Sequence, residues 1–280
     1  MTATPWLRQH PLLGYYAAVY AISWGGILIV VATNGFDVVH LRAMDTGIIF
    51  VAMLLGPSVA GVAMTAVLEG RAGLSRLKVS LVRWRVGVRW YALALLTVPV
   101  LLISVLWSTS ALVDTAFAPR FQWQLFAIGL IAGSFEEIGG TGFATKRLLA
   151  RQRLFMASLS LGLVWALWHM LVDYRQNFNT MGAWWLLEFA VVYVAALTAY
   201  RMLMTWVYAN TQSLLLAVLM HASYTGWLFV LYPAAPVGQG MVWQATFAVA
   251  LWVVVAAVAA GNEHRWYGFP VTVEQSRDQQ

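Results

Sequence analysis

The chain has 280 residues, of which 61% are hydrophobic and only 10% are charged, and its mean hydropathy is +0.72. This composition excludes a soluble globular domain, and the absence of cysteine excludes disulfides, thiolate metal sites and thiol nucleophiles. The net charge of +6 does not indicate a nucleic-acid-binding surface, because the basic residues flank apolar runs of membrane-spanning length.

Eight apolar runs follow one another along the chain, each close to the roughly 20 residues that cross a bilayer as a helix. They lie at about 13–32, 47–67, 90–109, 122–145, 155–173, 183–200, 211–232 and 241–260. We therefore predict an all-α fold, a polytopic membrane bundle of about eight transmembrane helices. Residues 1–262 form a single transmembrane domain in this prediction, and residues 263–280 form a short cytoplasmic tail.

Lysine and arginine concentrate in two of the loops between these runs. The loop after the second run contains Arg71, Arg76, Lys78, Arg83, Arg85 and Arg89, and the loop after the fourth contains Lys146, Arg147, Arg151 and Arg153. Such loops stay on the cytoplasmic side of a membrane. With eight spans, this rule places both termini in the cytoplasm. The absence of an organelle-targeting signal favours a bacterial inner membrane.

The basic segment at 69–89 also has a pattern of its own. Its apolar residues alternate with cations, which is typical of an amphipathic helix lying in the plane of the lipid headgroups. A solvated linker carrying the same charges explains the pattern equally well.

Ionisable side chains inside apolar runs are the strongest functional signal: Glu136, Glu137, His169 and His221. A charged group at membrane depth costs at least ~2.5 kcal/mol, so it usually marks a functional site. Neighbours on a helix point about 100° apart, which predicts that one glutamate faces a cavity while the other takes a structural partner. Glu188, a further acid in a span, is predicted to pair structurally or to line the same cavity.

Other intramembrane chemistries can be compared with this chain. It contains no H-E-x-x-H zinc motif, no evident serine nucleophile on a glycine-flanked turn, and no pair of aspartates in separate spans. A glutamate with two histidines remains, which suits hydrolysis by an activated water. A transporter using the same groups as a proton relay is the alternative from the residues alone. It predicts inverted repeats, and we find no convincing repeat between the halves.

Three motifs carry a resemblance to a known family. The segment EEIGGTGFATKRLLAR resembles the first motif, E-E-x-x-x-R, of the CAAX prenyl protease and bacteriocin-processing (CPBP or Abi) family of intramembrane proteases. Trp165 and His169 resemble the second motif, an aromatic residue ahead of a histidine. His221 with Thr225 approaches the third, a histidine with asparagine four residues on. The resemblance runs from about residue 55 to 230 and suggests a protease-like core at about 120–232.

The resemblance implies an intramembrane endopeptidase with named residue roles. Glu136 with His169 would activate a water for attack on a peptide carbonyl, and His221 with Thr225 would stabilise the oxyanion, with Glu137 in support. If zinc or another divalent metal is bound, Glu136, His169 and His221 are its ligands. A water held by glutamate and histidine without a metal is the alternative. The implied partners are the lipid bilayer and a membrane-associated protein or peptide substrate, with no nucleic acid.

Two residues depart from the family motifs. Thr141 stands where the first motif has arginine, so we expect Glu137 to lack a cation and to be uncharged. Thr225 stands where the third motif has asparagine and keeps a shorter hydroxyl donor. These departures support an alternative, a catalytically inactive family member that acts as a membrane binding or regulatory protein. The enzyme hypothesis further predicts that the fourth helix continues through Phe143 to Leu149, because Glu136 and His169 otherwise lie at different depths.

Overall fold

The computed structural model describes residues 4–36, 41–235 and 237–268, and within these ranges the chain is helical with no β-strand. The helices are α1 (Pro5–Gln9), α2 (Pro11–Thr33), α3 (Ala43–Leu81), α4 (Val88–Leu112), α5 (Phe126–Gly139), α6 (Lys146–Leu149), α7 (Leu154–Met181), α8 (Trp184–Phe189), α9 (Thr198–Thr211), α10 (Leu214–Val230), α11 (Val237–Ala260) and α12 (Glu263–Tyr267). Two short 3-10 turns, at Thr115–Phe117 and Trp123–Leu125, precede α5. The predicted all-α fold is confirmed.

Six helical stretches of the described chain are long and apolar enough to cross a membrane. They are Pro11–Thr33, Ala43–Leu81, Val88–Leu112, Leu154–Met181, Trp184–Thr211 and Gln239–Ala260. The fourth and seventh predicted runs fall on α5 and α10, which are shorter. All eight runs thus lie on helices of a polytopic bundle, and the chain is an integral membrane protein.

The predicted tail begins with a helix that is attached to the bundle. Trp266 of α12 is fully buried, and α12 packs against α7 and α11. Residues 269–280, the rest of the predicted tail, lie outside the described residues.

Two π-helical segments join neighbouring α-helices without a break in the chain's helical path. Gly140–Thr145 connects α5 to α6, and Ala190–Leu197 connects α8 to α9. Gly140, Thr145 and Lys146 all keep right-handed helical dihedral angles. The prediction that the fourth helix continues to Leu149 is therefore confirmed. Widened turns of this kind often occur at functional sites, because they turn side chains away from the regular helical repeat.

Glycine allows α5 to pack closely against α10 on one side and α3 on the other. A Cβ atom at Gly133 would lie 2.6 Å from the backbone nitrogen of Ala222, and one at Gly61 would lie 2.6 Å from Cα of Gly139. Small residues at such contacts let two membrane helices approach closely. The two glutamates of α5 are consequently held in the interior of the bundle.

Helix α3 changes direction at Gly70, which has φ +63° and ψ −153°. A positive φ is readily adopted by glycine and strained for other residues. The chain then resumes helix up to Leu81, as the amphipathic interpretation of this segment predicts. Residues 83–87 are not helical, so the linker interpretation applies to this shorter stretch.

Candidate active site

Glu137 is fully buried and accepts four hydrogen bonds. Its Oε1 atom lies 2.7 Å from Nη2 of Arg201 and 2.8 Å from Nδ1 of His221. Its Oε2 atom accepts from Nη1 of Arg201 at 2.8 Å and from the hydroxyl of Thr141 at 2.5 Å. The two parallel bonds from the guanidinium form the strongest common pairing of a carboxylate. Glu137 is therefore the structural member of the glutamate pair.

The expectation that Glu137 lacks a cation is wrong. Thr141 does occupy the position of the motif arginine, but Arg201 of α9 brings a guanidinium to the carboxylate from another helix, 64 residues away in sequence. Arg201 is only 2% exposed, and its Nη1 atom also lies 3.4 Å from Oγ1 of Thr141. The charge that the motif normally supplies from the same helix is thus supplied here across a helix contact.

His221 lies between the two glutamates. Its Nδ1 atom is 2.8 Å from Oε1 of Glu137, and its Nε2 atom is 3.7 Å from Oε2 of Glu136. Because a carboxylate can only accept, Nδ1 carries a proton and Nε2 is directed towards Glu136. The second distance is too long for a direct hydrogen bond, so proton exchange between these groups requires a bridging water or a small movement.

Trp165 of α7 contacts the charged groups of this cluster. Its indole nitrogen donates to Oε2 of Glu136 at 3.0 Å, and its ring centre lies 3.7 Å from Cζ of Arg201 and 5.0 Å from the ring centre of His221. A guanidinium over an indole face is attracted by the ring electrons. Trp165 therefore orients Glu136 and supports Arg201 at the same time.

His169 lies on α7 one helical turn after Trp165 and is half-buried. Its Nδ1 atom is 2.9 Å from the backbone carbonyl of Trp165, which accepts the proton and leaves the lone pair on Nε2. Its ring packs 5.1 Å from the ring of Tyr193. Within the described residues, His169 makes no hydrogen bond or ion pair with Glu136. The structure brings Glu136, Glu137 and His221 together and leaves His169 beside them.

Thr225 and Glu188 stand apart from the cluster. Thr225 lies one turn after His221 on α10 and is half-buried, and its hydroxyl makes no hydrogen bond with another described residue. Glu188 of α8 is buried, and its Oε2 atom has no hydrogen-bond partner in the described part of the chain. It does not line the cavity beside Glu136.

A cavity of about 40 Å³ adjoins Glu136. Glu136 and Arg201 supply its charged lining, and aromatic side chains of α2 and α7 supply much of the rest, among them Tyr16, Tyr20 and Trp168. This volume holds about two or three water molecules, and its polar groups can bond to them. The predicted division of roles is therefore observed: Glu136 faces a cavity, whereas Glu137 is fully engaged by protein groups.

The donor set can be compared with the requirements of a metal ion. A catalytic zinc ion usually takes three protein ligands at about 2.0–2.2 Å. The described residues contain no group of three His, Asp or Glu side chains that could hold a metal. The Nδ1 atoms of His221 and His169 are engaged by Glu137 and by a backbone carbonyl, which leaves Nε2 of each ring as the atom that could bind a metal. As arranged, however, Glu136, His169 and His221 are not grouped closely enough to form a three-ligand site.

Arg201 is the functional residue that sequence reasoning missed. The sixth predicted run ends at residue 200, so Arg201 lies just beyond its edge and the sequence prediction assigns it no role. A signal was present, because Arg201 is the one charged residue in the long stretch between Glu188 and Glu263. An isolated cation so far from any loop charge is expected to have a buried partner.

Two comparisons show which known proteins this chain is similar to. A family model described as type II CAAX prenyl endopeptidase Rce1-like matches residues 118–227. The CAAX prenyl protease 2 of Methanococcus maripaludis is 30% identical over 112 residues, which cover 38% of this chain and 40% of the relative. The chain therefore matches less than half the length of this curated relative. Glu136, Glu137, His169 and His221 all lie in the matched segment, and the resemblance to the CAAX protease family is confirmed.

Proposed function

Because residues 118–227 match the CAAX protease family, we propose that this integral membrane protein is a membrane protease. More specifically, it is an intramembrane endopeptidase that hydrolyses a peptide bond of a membrane-associated protein or peptide. The observation that carries the proposal is the position of His221 between a carboxylate held by Arg201 and a second carboxylate that faces a cavity.

In the proposed reaction, Glu136 acts as the general base. A water in the adjoining cavity gives a proton to Glu136 as its oxygen attacks the carbonyl carbon of the substrate. The tetrahedral intermediate then collapses, the bond between carbon and nitrogen breaks, and Glu136 returns the proton to the leaving amine. The hydrogen bond from Trp165 keeps Oε2 of Glu136 in place, so the carboxylate has a defined orientation towards the water.

The two histidines have different proposed roles. To donate a hydrogen bond from Nε2 to an oxyanion, His221 must carry a proton on both ring nitrogens, as an imidazolium. Its positive charge, together with that of Arg201, would balance the two negative charges of Glu136 and Glu137. Thr225 lies one helical turn after His221 on the same face of α10, so its hydroxyl could donate a further hydrogen bond to the oxyanion. His169 can accept a proton from water at Nε2, because its Nδ1 proton is held by the Trp165 carbonyl. Its participation requires water or substrate to bridge it to Glu136.

We propose that this chemistry proceeds without a resident metal, since the three candidate ligands do not fit a three-ligand site. Activity of the purified protein should then persist after dialysis against a chelator, with less than about one metal ion per ten chains by elemental mass spectrometry. Loss of activity that added zinc restores would contradict this part of the proposal.

The membrane and orientation are also proposals. The basic loops at 69–89 and 146–153 support a topology with both termini in the cytoplasm. We propose the inner membrane of a bacterium as the location. Glu136 lies on α5, which leads through α6 into the basic loop at 146–153, so this topology puts the active site towards the cytoplasmic side of the bilayer.

A second candidate function is a catalytically inactive relative that binds or regulates membrane proteins. Two observations favour it: His169 makes no hydrogen bond or ion pair with Glu136, and the hydroxyl of Thr225 bonds to no other described residue. In this alternative the Glu137 and Arg201 pair stabilises the bundle, and Glu136 serves no reaction.

The experiment that separates these candidates compares peptide termini in cells. Membrane proteins and small peptides are profiled by mass spectrometry from cells that express the wild type, Glu136→Gln or the control Glu188→Gln at equal levels. Glu188 is a buried acid outside the cluster, so this control makes the same substitution elsewhere in the bundle. Termini found with the wild type and the control but absent with Glu136→Gln support the protease. Identical termini in all three, with the proteins folded, would support the inactive relative.

A further inference from the structure

A second cavity, of about 290 Å³, lies outside the candidate active site. It is bounded by the segment of α3 that follows Gly70, by Gly142 and Lys146, and by the end of α9 with Tyr208. We infer that this basic cavity binds the phosphate group of an anionic lipid headgroup. The inference concerns a site separate from the proposed proteolysis and does not depend on it.

The charges that line the basic cavity are unbalanced. Arg76, Arg83 and Lys146 line it with Glu69, the one acid among the described lining residues. Glu69 already bonds to Arg76 at 2.6 Å and to Arg147 at 2.5 Å, with Lys146 at 3.9 Å. Arg83 makes no ion pair with any described residue. The described lining residues therefore carry three cations against one acid, so an anion placed here would meet a net charge of +2.

The surroundings favour a lipid as the source of that anion. The segment from Arg71 to Leu81 is helical and carries both cations and apolar side chains, and Val79, Val82 and Trp84 are each more than half exposed. Basic amphipathic helices of this kind lie at the boundary between headgroups and acyl chains. The cavity thus opens at the depth where lipid phosphates are concentrated, and its cations attract them.

A peptide substrate is a less suitable occupant. The basic cavity and the cavity beside Glu136 have no lining residue in common. Leu77 packs against Gly142 in the wall of the basic cavity, since a Cβ atom at Gly142 would lie 2.6 Å from Cδ1 of Leu77. An anionic group in the basic cavity is therefore separated by protein from the reacting atoms.

Native mass spectrometry of the full chain in detergent can test this site. The protein is titrated with dioleoyl phosphatidylglycerol or with dioleoyl phosphatidylcholine, whose phosphate is balanced by choline. The double variant Arg83→Gln/Lys146→Gln removes two of the three cations that line the cavity. The matched control Arg85→Gln/Arg151→Gln removes the same charge from exposed residues that do not line it. Thermal unfolding of the lipid-free proteins checks that each variant is folded.

We expect the Kd for phosphatidylglycerol to rise about tenfold or more in the cavity variant and to change less than about twofold in the control. If the double variant does not fold, Lys146→Gln alone should raise the Kd about fivefold. Equal weakening in both double variants would overturn the proposal, because it would indicate diffuse surface attraction. Equal binding of phosphatidylcholine would overturn it as well. Displacement of the lipid by millimolar inorganic phosphate would show that the anion comes from solution, and would overturn the lipid assignment.

Discussion

Two pairs of buried acids lie among the described residues of this bundle, and their hydrogen-bond partners differ in kind. Glu137 beside Glu136 is bonded to a guanidinium, an imidazole and a hydroxyl. Asp173, also buried, is bonded to neutral donors, the indole of Trp185 at 2.7 Å and the amide of Asn177 at 2.8 Å. Its neighbour Glu188 keeps one oxygen without a partner.

The difference shows what makes a buried acid a candidate for chemistry. Neutral donors can hold Asp173 in place, but an indole and an amide do not exchange protons at neutral pH. Beside Glu136 lie an imidazole, which can exchange protons, and a cavity with room for water. Burial of an acid is common to both pairs, whereas the neighbouring imidazole and the adjoining cavity distinguish the first.

The substitution Glu136→Gln is the strongest test of this difference between the two pairs of acids. The amide oxygen keeps the hydrogen bond from Trp165, so the protein should remain folded, but it cannot accept a proton from water. We expect the hydrolysis rate to fall about 10²–10⁴-fold, measured on a substrate identified from the terminus profiles. A thermal unfolding curve close to that of the wild type is the control. Hydrolysis at the wild-type rate would remove Glu136 from the mechanism.

Arg201→Met tests the role of the charge at Glu137. Removal of one partner of a buried ion pair costs about 3–5 kcal/mol, so we expect a large loss of unfolding free energy in detergent and of activity. Arg175→Met is a suitable control, because Arg175 makes no ion pair with a described residue.

A second substitution in the Arg201→Met variant can test whether stability and activity are restored. Thr141→Arg added to Arg201→Met returns a guanidinium to the motif position, and we expect it to restore at least part of both stability and activity. A variant that recovers stability without activity would limit Arg201 to a structural role. Failure to recover either would show that position 141 cannot reach Glu137 in this bundle.

Asp173→Asn should have a smaller effect than either change in the cluster. An amide offers one acceptor oxygen where two donors now bond to a carboxylate, so one of the donors from Trp185 and Asn177 loses its partner. The expected cost is about 1–3 kcal/mol of unfolding free energy, with a wild-type rate of hydrolysis in the folded fraction. A loss of rate larger than the loss of folded protein would connect Asp173 to the chemistry.

Glu188→Gln should have the smallest effect. Because Oε2 of Glu188 bonds to no described residue, replacement of the carboxylate by an amide removes no ion pair. We expect the unfolding free energy to change by less than about 1 kcal/mol and the rate to stay within about twofold of the wild type. A large loss of unfolding free energy would show that the packing around Asp173 and Glu188 depends on the charge of Glu188.

The helices and much of the candidate site could be predicted from sequence. Apolar length identifies the spans, and the cost of ionisable groups in a bilayer singles out Glu136, Glu137 and His221, which do converge. The pairing of Arg201 with Glu137 could not be predicted, because it joins α9 to the end of α5 and depends on how those helices pack. The orientation of the His169 ring could not be predicted either, because it depends on the side-chain rotamer that forms the hydrogen bond to the Trp165 carbonyl.

The position of the guanidinium on α9 also has a consequence for biosynthesis. Glu137 is made 64 residues before Arg201, an interval of about 3–13 seconds at common rates of translation. During that interval α5 has its acid but not the cation that will neutralise it. An arginine at position 141 would reach the insertion machinery together with Glu137. For this chain we expect α5 instead to stay at the insertion machinery, or to enter the lipid with an uncharged carboxyl, until α9 arrives.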